Sequence, residues 1–254
     1  TWLPVVTTSG DRMEASLSDV LIRPDLFSDL DSTSPIEYLA LHRLLLSIAH
    51  RAIGPGDEMS RAELFDSWPT SQIQSYLQNW AHRFDLLCPS RPFLQLPGLD
   101  PERCTKPWTQ LLPDIPNGSS RSFWSKAHDE TTEPISAGEA ARALLACQQF
   151  SLGGTIHAGQ GKCDPSYQYS GQQAPCVDAL LLIPTGETLQ QTLALCLVPQ
   201  STEDYAYDEP IWERDLPAIT PTLCDPAEQF IPGGPAQRYS WMLRSIQLLP
   251  TEAG

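Results

Sequence analysis

The sequence predicts an α+β fold of mixed helices and short antiparallel strands, joined by long proline-rich irregular connections. Three observations predict it. Apolar residues recur at helical spacing in several separate blocks, most clearly in SPIEYLALHRLLLSIAHRAIGPG. The opening TWLPVVTTSGDRMEASL reads instead as two short extended runs around a Ser9-Gly10-Asp11 turn, which predicts a β-hairpin. Finally, 24 prolines are distributed along the chain. Each removes a backbone donor and disfavours a long unbroken helix.

Taken in order, Ser18 to Leu26 follows the hairpin as a short helix. The long helix has Ser34 at its N-cap, Pro35 at the first helical position and Glu37 as capping-box partner. Ile36, Leu39, Ala40, Leu44, Ile48 and Ala52 form its stripe, Leu41 and Leu45 widen it, and Gly54-Pro55 stops it. His42 and His50 lie eight residues apart on this helix, which suits packed or solvated side chains better than paired metal ligands. A second helix is predicted from Ser71 to Phe84, with Ile73, Tyr76, Leu77, Trp80 and Phe84 facing the core. After the proline-rich CPSRPFLQLPGLDPERCTKPWTQLLPDIP and the polar NGSSRSFWSKAHDETTEP, a capping box of Ser136 and Glu139 opens the helix AGEAARALLACQQF. The glycine-rich FSLGGTIHAGQGKC comes straight after it. Farther on, CVDALLLIP is predicted as a buried strand, TLQQTLALCLVP as a helix and RYSWMLRSIQLLP as a closing strand. The acidic STEDYAYDEPIWERD is predicted to be solvated except at Ile211 and Trp212.

Composition excludes several function classes. The 254 residues carry a formal net charge of −15, which repels a phosphate backbone over the general surface. The three lysines, Lys106, Lys126 and Lys162, all fall in the middle third with Arg103, Arg121 and Arg142, so any nucleic-acid contact is local. The seven cysteines are odd in number and contain no CxxC, which argues against a disulfide framework or a zinc ribbon. Cys147 and Cys196 fall on apolar faces and read as small core residues. No signal peptide and no run of about 18 apolar residues is found. The expectation is a soluble chain in a reducing cytoplasm, with no membrane partner.

Gly161-Lys162 does not make a phosphate loop, because Cys163 follows it and the segment trails a helix instead of preceding one. His157, Cys163 and Cys176 are the candidate metal trio, but they lack the close pair that nucleates a zinc site. No GxSxG or HExxH motif is present. With 31 acidic residues, an acidic cytosolic hydrolase using carboxylates or that trio is the rival reading. What remains is a pair of segments flanking one helix. Asn117–Lys126 supplies Arg121, Phe123, Trp124 and Lys126, while Gly153–Lys162 supplies glycines and a lysine. Aromatics stack on splayed bases, cations meet phosphates, and glycines let backbone approach a groove. Plain surface loops with Phe123 and Trp124 in the core are the alternative.

The order of TWLPV, SPIEYLALHRLLLSIAHRAIGP, YLQNWAHRFDLLCPSRPFLQ and SAGEAARALLACQQFSLGG resembles the N-terminal domain of the CasA family. CasA proteins are the large subunits of type I-E CRISPR Cascade complexes. TGETLQQTLALCL, EPIWERD and RYSWMLRSIQLLP continue the likeness in register, so it runs from Trp2 to Pro250.

The resemblance implies one CasA-like N-terminal domain over residues 1–254, either a fragment or a compact version, without the family's C-terminal helical bundle. It implies a non-catalytic subunit with no cofactor and no metal. That subunit recognises the protospacer-adjacent motif (PAM) of target double-stranded DNA, contacts the crRNA 5′ handle, and supports R-loop initiation and nuclease recruitment in antiviral defence. Its partners would be crRNA, target DNA, the Cascade backbone, crRNA-end and small subunits, and a helicase–nuclease or other nuclease module. Carried over by position, Gly153 and Gly154, with Gly159 and Gly161 as extensions, meet the motif in the minor groove. Lys162 is added as a phosphate contact. Asn117, Gly118, Ser119, Ser120, Arg121, Phe123, Trp124 and Lys126 form the crRNA-handle or PAM loop, its aromatic being Phe123 or Trp124. Ser119-Ser120 replaces a frequent Asn-Asn, and Ser125-Lys126 replaces Asp-His, so PAM preference and handle contacts are expected to differ. The family's lysine finger and glutamine wedge are expected from the part beyond Pro250.

Overall fold

The computed structural model describes residues 1–99, 101, 105–112, 134–157, 168–171, 173–214 and 233–250. Strands β1 (Leu3–Thr7) and β2 (Arg12–Ala15) form the expected hairpin, and β3 (Phe27–Leu30) pairs antiparallel on the other side of β1. Gly10 takes φ +92° in the turn, and its N–H donates to the Thr7 carbonyl. A side chain would strain that left-handed backbone. Leu3 and Val5 point from β1 into the core.

Helix α1 (Leu17–Ile22) opens on a full Ser16/Asp19 capping box and ends at a 3₁₀ turn over Pro24–Leu26. Helix α2 (Pro35–Ile53) runs through the middle of the molecule, burying Ala40 to His50 except for the partly exposed Arg43. Ser34 caps it as expected, but Glu37 does not return the second half of the box. Ser32 does: its hydroxyl accepts from the Ser34 N–H and donates to Glu37. Gly54 closes the helix with left-handed backbone at φ +55°.

Around α2 pack α4 (Thr70–Trp80), α5 (Ala137–Phe150), α6 (Leu189–Cys196) and α8 (Pro235–Tyr239). Two short helices, α3 (Glu58–Glu63) and α7 (Thr202–Tyr207), lie between them in sequence. Ile73 and Leu77 of α4 are buried, and Tyr76, Trp80 and Phe84 pack on the same core, as their spacing predicts. His42 and His50 are both buried.

Three expectations are corrected. The run from Cys176 to Pro184 is not a strand, and none of the described strands pairs with it. Cys176 is buried, whereas Leu180 and Leu182 are 87% and 80% exposed. An apolar run specifies a strand only where a free sheet edge is there to receive it. The acidic segment is not simply solvated outside Ile211 and Trp212. It contains α7, the buried Asp208 and the ion-paired Glu213. The closing strand is absent as well. Helix α8 occupies its start, and Trp241 to Pro250 runs without a ladder.

Side-chain amides take the place of that ladder. Gln148 accepts from the Arg244 N–H at 2.8 Å and donates to the Arg244 carbonyl at 2.9 Å. Gln149 donates to the carbonyls of Tyr239 and Trp241, and Gln95 accepts from the Leu248 N–H. A glutamine carries both a donor and an acceptor, so each one satisfies buried irregular backbone as a paired strand would.

Candidate nucleic-acid interface

Helix α5 organises the candidate interface. At its start Ser136 accepts from the Glu139 N–H, and Glu139 accepts from the Ser136 N–H at 2.9 Å. This capping box fixes the N-terminus and, by satisfying exposed donors, holds the Glu139 carboxyl below its ordinary range. One turn in, Arg142 donates to the Trp2 carbonyl at 2.7 Å and lies near Glu14 and Glu37, tying α5 to the hairpin. The 14 residues of α5 separate its ends by about 21 Å.

At the far end the chain leaves α5 under restraint. Ser151 donates to the Cys147 carbonyl at 2.6 Å, and Arg244 donates to the Leu152 carbonyl at 2.9 Å. Leu111, Ala143 and Cys147 form a small apolar cluster, with Leu112 packed against it. Leu112 is the last described residue before the segment that contains Asn117–Lys126. Leu111 and Cys147 share this cluster, and the Cys147 carbonyl also accepts from Ser151 at the start of the glycine segment. Burial raises the Cys147 thiol above its ordinary range, as suits a packing residue.

Beyond Gly153 the chain is not a plain loop. Strand β4 (Gly154–His157) pairs antiparallel with β5 (Gln168–Gly171), correcting the loop expectation over Gly154–His157. The first pair in the register is Gly154 with Gly171. Neither residue has a Cβ, so this rung of the ladder offers bare backbone beside Gly153. Glycine inside a strand marks a place where another backbone or a ligand comes close. Gly171 was not among the predicted residues. Its signal is the mirror placement of a second glycine at the far end of the segment, in YSGQ.

Of the predicted residues, Gly153 and Gly154 are thus at the hairpin base. Gly159, Gly161 and Lys162 lie outside the described residues, as do Asn117, Gly118, Ser119, Ser120, Arg121, Phe123, Trp124 and Lys126. Of the candidate metal trio, Cys163 also lies outside them, and Cys176 is buried against Gln149 with its thiol raised by desolvation. Gln148 and Arg244 hold the interface base, and no periodicity in the sequence marks them, because their contacts join distant segments.

The family described as CRISPR-associated protein Cse1 matches residues 1–254 of this chain. The chain belongs to the Cse1 family. The CasA/Cse1 protein of Thermus thermophilus is 34% identical over 256 residues, covering 98% of this Cse1-family chain and 47% of that protein. The chain thus spans about half the length of the curated relative it matches. The crystal structure of Thermobifida fusca Cse1 superimposes with a TM-score of 0.79 at 30% identity, over 95% of this chain and 46% of that one. A chain of a solved CRISPR RNA-guided surveillance complex shares the fold at 24% identity and a TM-score of 0.68, over 84% of this chain and 45% of its own length. Among the described residues, no helix of this Cse1-family chain is long and apolar enough to cross a membrane.

Proposed function

We propose that this chain is a non-catalytic part of the large subunit of a cytoplasmic CRISPR Cascade surveillance complex, forming a single recognition domain over residues 1–254. Its task is to check the PAM of target double-stranded DNA while base pairing with the guide reads the remaining sequence. The observation that carries this reading is the side-chain-free rung of Gly154 and Gly171 beside Gly153. A minor groove is about 6 Å wide and presents a degenerate pattern, so a reader of shape benefits from bare backbone. Gly159, Gly161 and Lys162 extend that contact toward phosphate. Asn117 to Lys126 serves the crRNA 5′ handle or the PAM flank. Family membership and the fold shared with a chain of a surveillance complex support the assignment. R-loop initiation and recruitment of a nuclease are proposed for the whole subunit, in company with the backbone, crRNA-end and small subunits.

The test is binding of labelled duplexes, with and without the PAM, to the chain assembled with its partner subunits and guide RNA. Replacing Gly153 and Gly154 together with leucine is expected to reduce discrimination between the two duplexes at least tenfold. Assembly should be unchanged, because the clasps at Ser151 and Arg244 remain. Unchanged discrimination in that variant removes the glycines from the site.

A further inference from the structure

A second cationic feature lies at Arg83 and Arg91. Arg83, Arg91, Leu94, Gln95, Trp212 and Met242 line a small cavity of about 20 Å³. That volume admits one water or one oxygen of a larger anion. No carboxylate is among the described lining residues, although the whole chain is strongly acidic. Arg83 Nε is enclosed and has no hydrogen-bond partner among the described residues. A guanidinium so placed fits an anionic acceptor. Arg91 reaches the Trp212 carbonyl at 3.4 Å. The wall between them is held under strain, since Leu94 adopts φ +51°, which side chains rarely take. Gln148 connects this wall to the interface, donating to the Leu94 carbonyl at 3.3 Å and to the Arg244 carbonyl at 2.9 Å. Arg244 in turn holds Leu152.

We propose that the notch between Arg83 and Arg91 seats one phosphate of a nucleic-acid backbone, as an electrostatic anchor in addition to the glycine rung. It rests on the nucleic-acid reading above and adds a contact blind to sequence. The experiment compares the native assembly with the R83Q/R91Q variant on three labelled probes: a duplex with the PAM, a duplex without it, and single-stranded RNA. The expected result is a loss of affinity by a similar factor on both duplexes, with the slope of log affinity against log salt reduced by about one. Loss confined to the RNA probe supports the anchor and assigns it to the guide. Unchanged affinity and slope on every probe overturns it. A reduced slope in R83Q/R91Q, alongside intact discrimination in the glycine variant, keeps the anchor and removes the PAM reading.

A second measurement guards against misfolding of the double variant. Inorganic phosphate should raise the Tm of the unaltered chain more than sodium chloride of equal ionic strength, and should lose that excess in R91Q. Equal shifts in both proteins, or no excess in the unaltered chain, mean that the cavity holds only water and the proposal fails.

Discussion

Glu213→Ala is expected to lower the free energy of unfolding by about 3–5 kcal/mol. Glu213 is 7% exposed at its side chain and pairs with Arg51, whose Nη2 lies 2.8 Å from Glu213 Oε2. Tyr76 donates to the other carboxylate oxygen at 2.6 Å, and the Trp212 indole donates to the Tyr76 hydroxyl at 2.7 Å. Arg51 also donates to the Tyr205 carbonyl. Removing the carboxylate leaves a largely buried guanidinium without its anion and a partly buried phenol without its acceptor, and each loss is costly. The Tyr76 phenol is already pushed well above its ordinary range, first by burial and then by the adjacent Glu213 charge. Glu213→Gln keeps an acceptor for Tyr76 but loses the charge, so it should fall between the two. Urea denaturation at constant slope measures the difference. A shift below about 1 kcal/mol for Glu213→Ala would mean that the pair is solvated, as the acidic composition of its segment predicts.

Acidification is expected to destabilise the chain between about pH 6.5 and pH 4, by on the order of 3 kcal/mol, through His50. Desolvation lowers the His50 pKa from 6.5 to about 4, and the nearby Asp208 charge opposes that shift only in part. Its ring packs 5.8 Å from the Tyr239 ring. The folded chain therefore holds His50 neutral. Above pH 6.5 neither state protonates it and stability is unaffected. As pH falls below 6.5 the unfolded chain takes up the proton first, and stability drops until the folded pKa is reached. Asp29 acts in a lower window. Its carboxyl is half-buried, a condition that raises its pKa, but His42, whose Nε2 lies 3.5 Å away, and hydrogen bonds from the Leu30 N–H and the Tyr38 hydroxyl hold it below its ordinary range. Its contribution is present above the unfolded pKa and is lost only as pH falls through the lowered one. His50→Gln should flatten the stability profile between pH 6.5 and 4 while leaving the steeper fall below it. A profile unchanged by that substitution would remove His50 as the cause.

The parts of the fold that could be read from sequence are those held by local rules. The caps at Ser34 and Ser136, the Gly54 stop and the Ser9-Gly10-Asp11 turn each depend on a few neighbouring residues, and each element stands close to its expected place. What escaped depends on distant partners. Gln148 and Arg244 are 96 residues apart in sequence, and no periodicity marks a glutamine that will take over a strand's hydrogen bonds. Glu213 and Arg51 are 162 residues apart, so an acidic stretch read alone looks solvated. The run through Leu180 and Leu182 failed for the opposite reason, because its apolar character was real but none of the described strands pairs with it. For the interface, the glycines at 153 and 154 were legible as a feature. That Gly154 would face Gly171 across a ladder was not, since pairing register is a property of two segments together.

The most direct measurement is photo-crosslinking from Leu152, which is 70% exposed and adjoins the glycine rung. A benzophenone side chain placed there, in the assembly with guide RNA and a PAM-bearing duplex, is predicted to attach to the DNA next to the motif. Attachment only to protein, or to nothing while the duplex is bound, would contradict the claim that this rung meets the target.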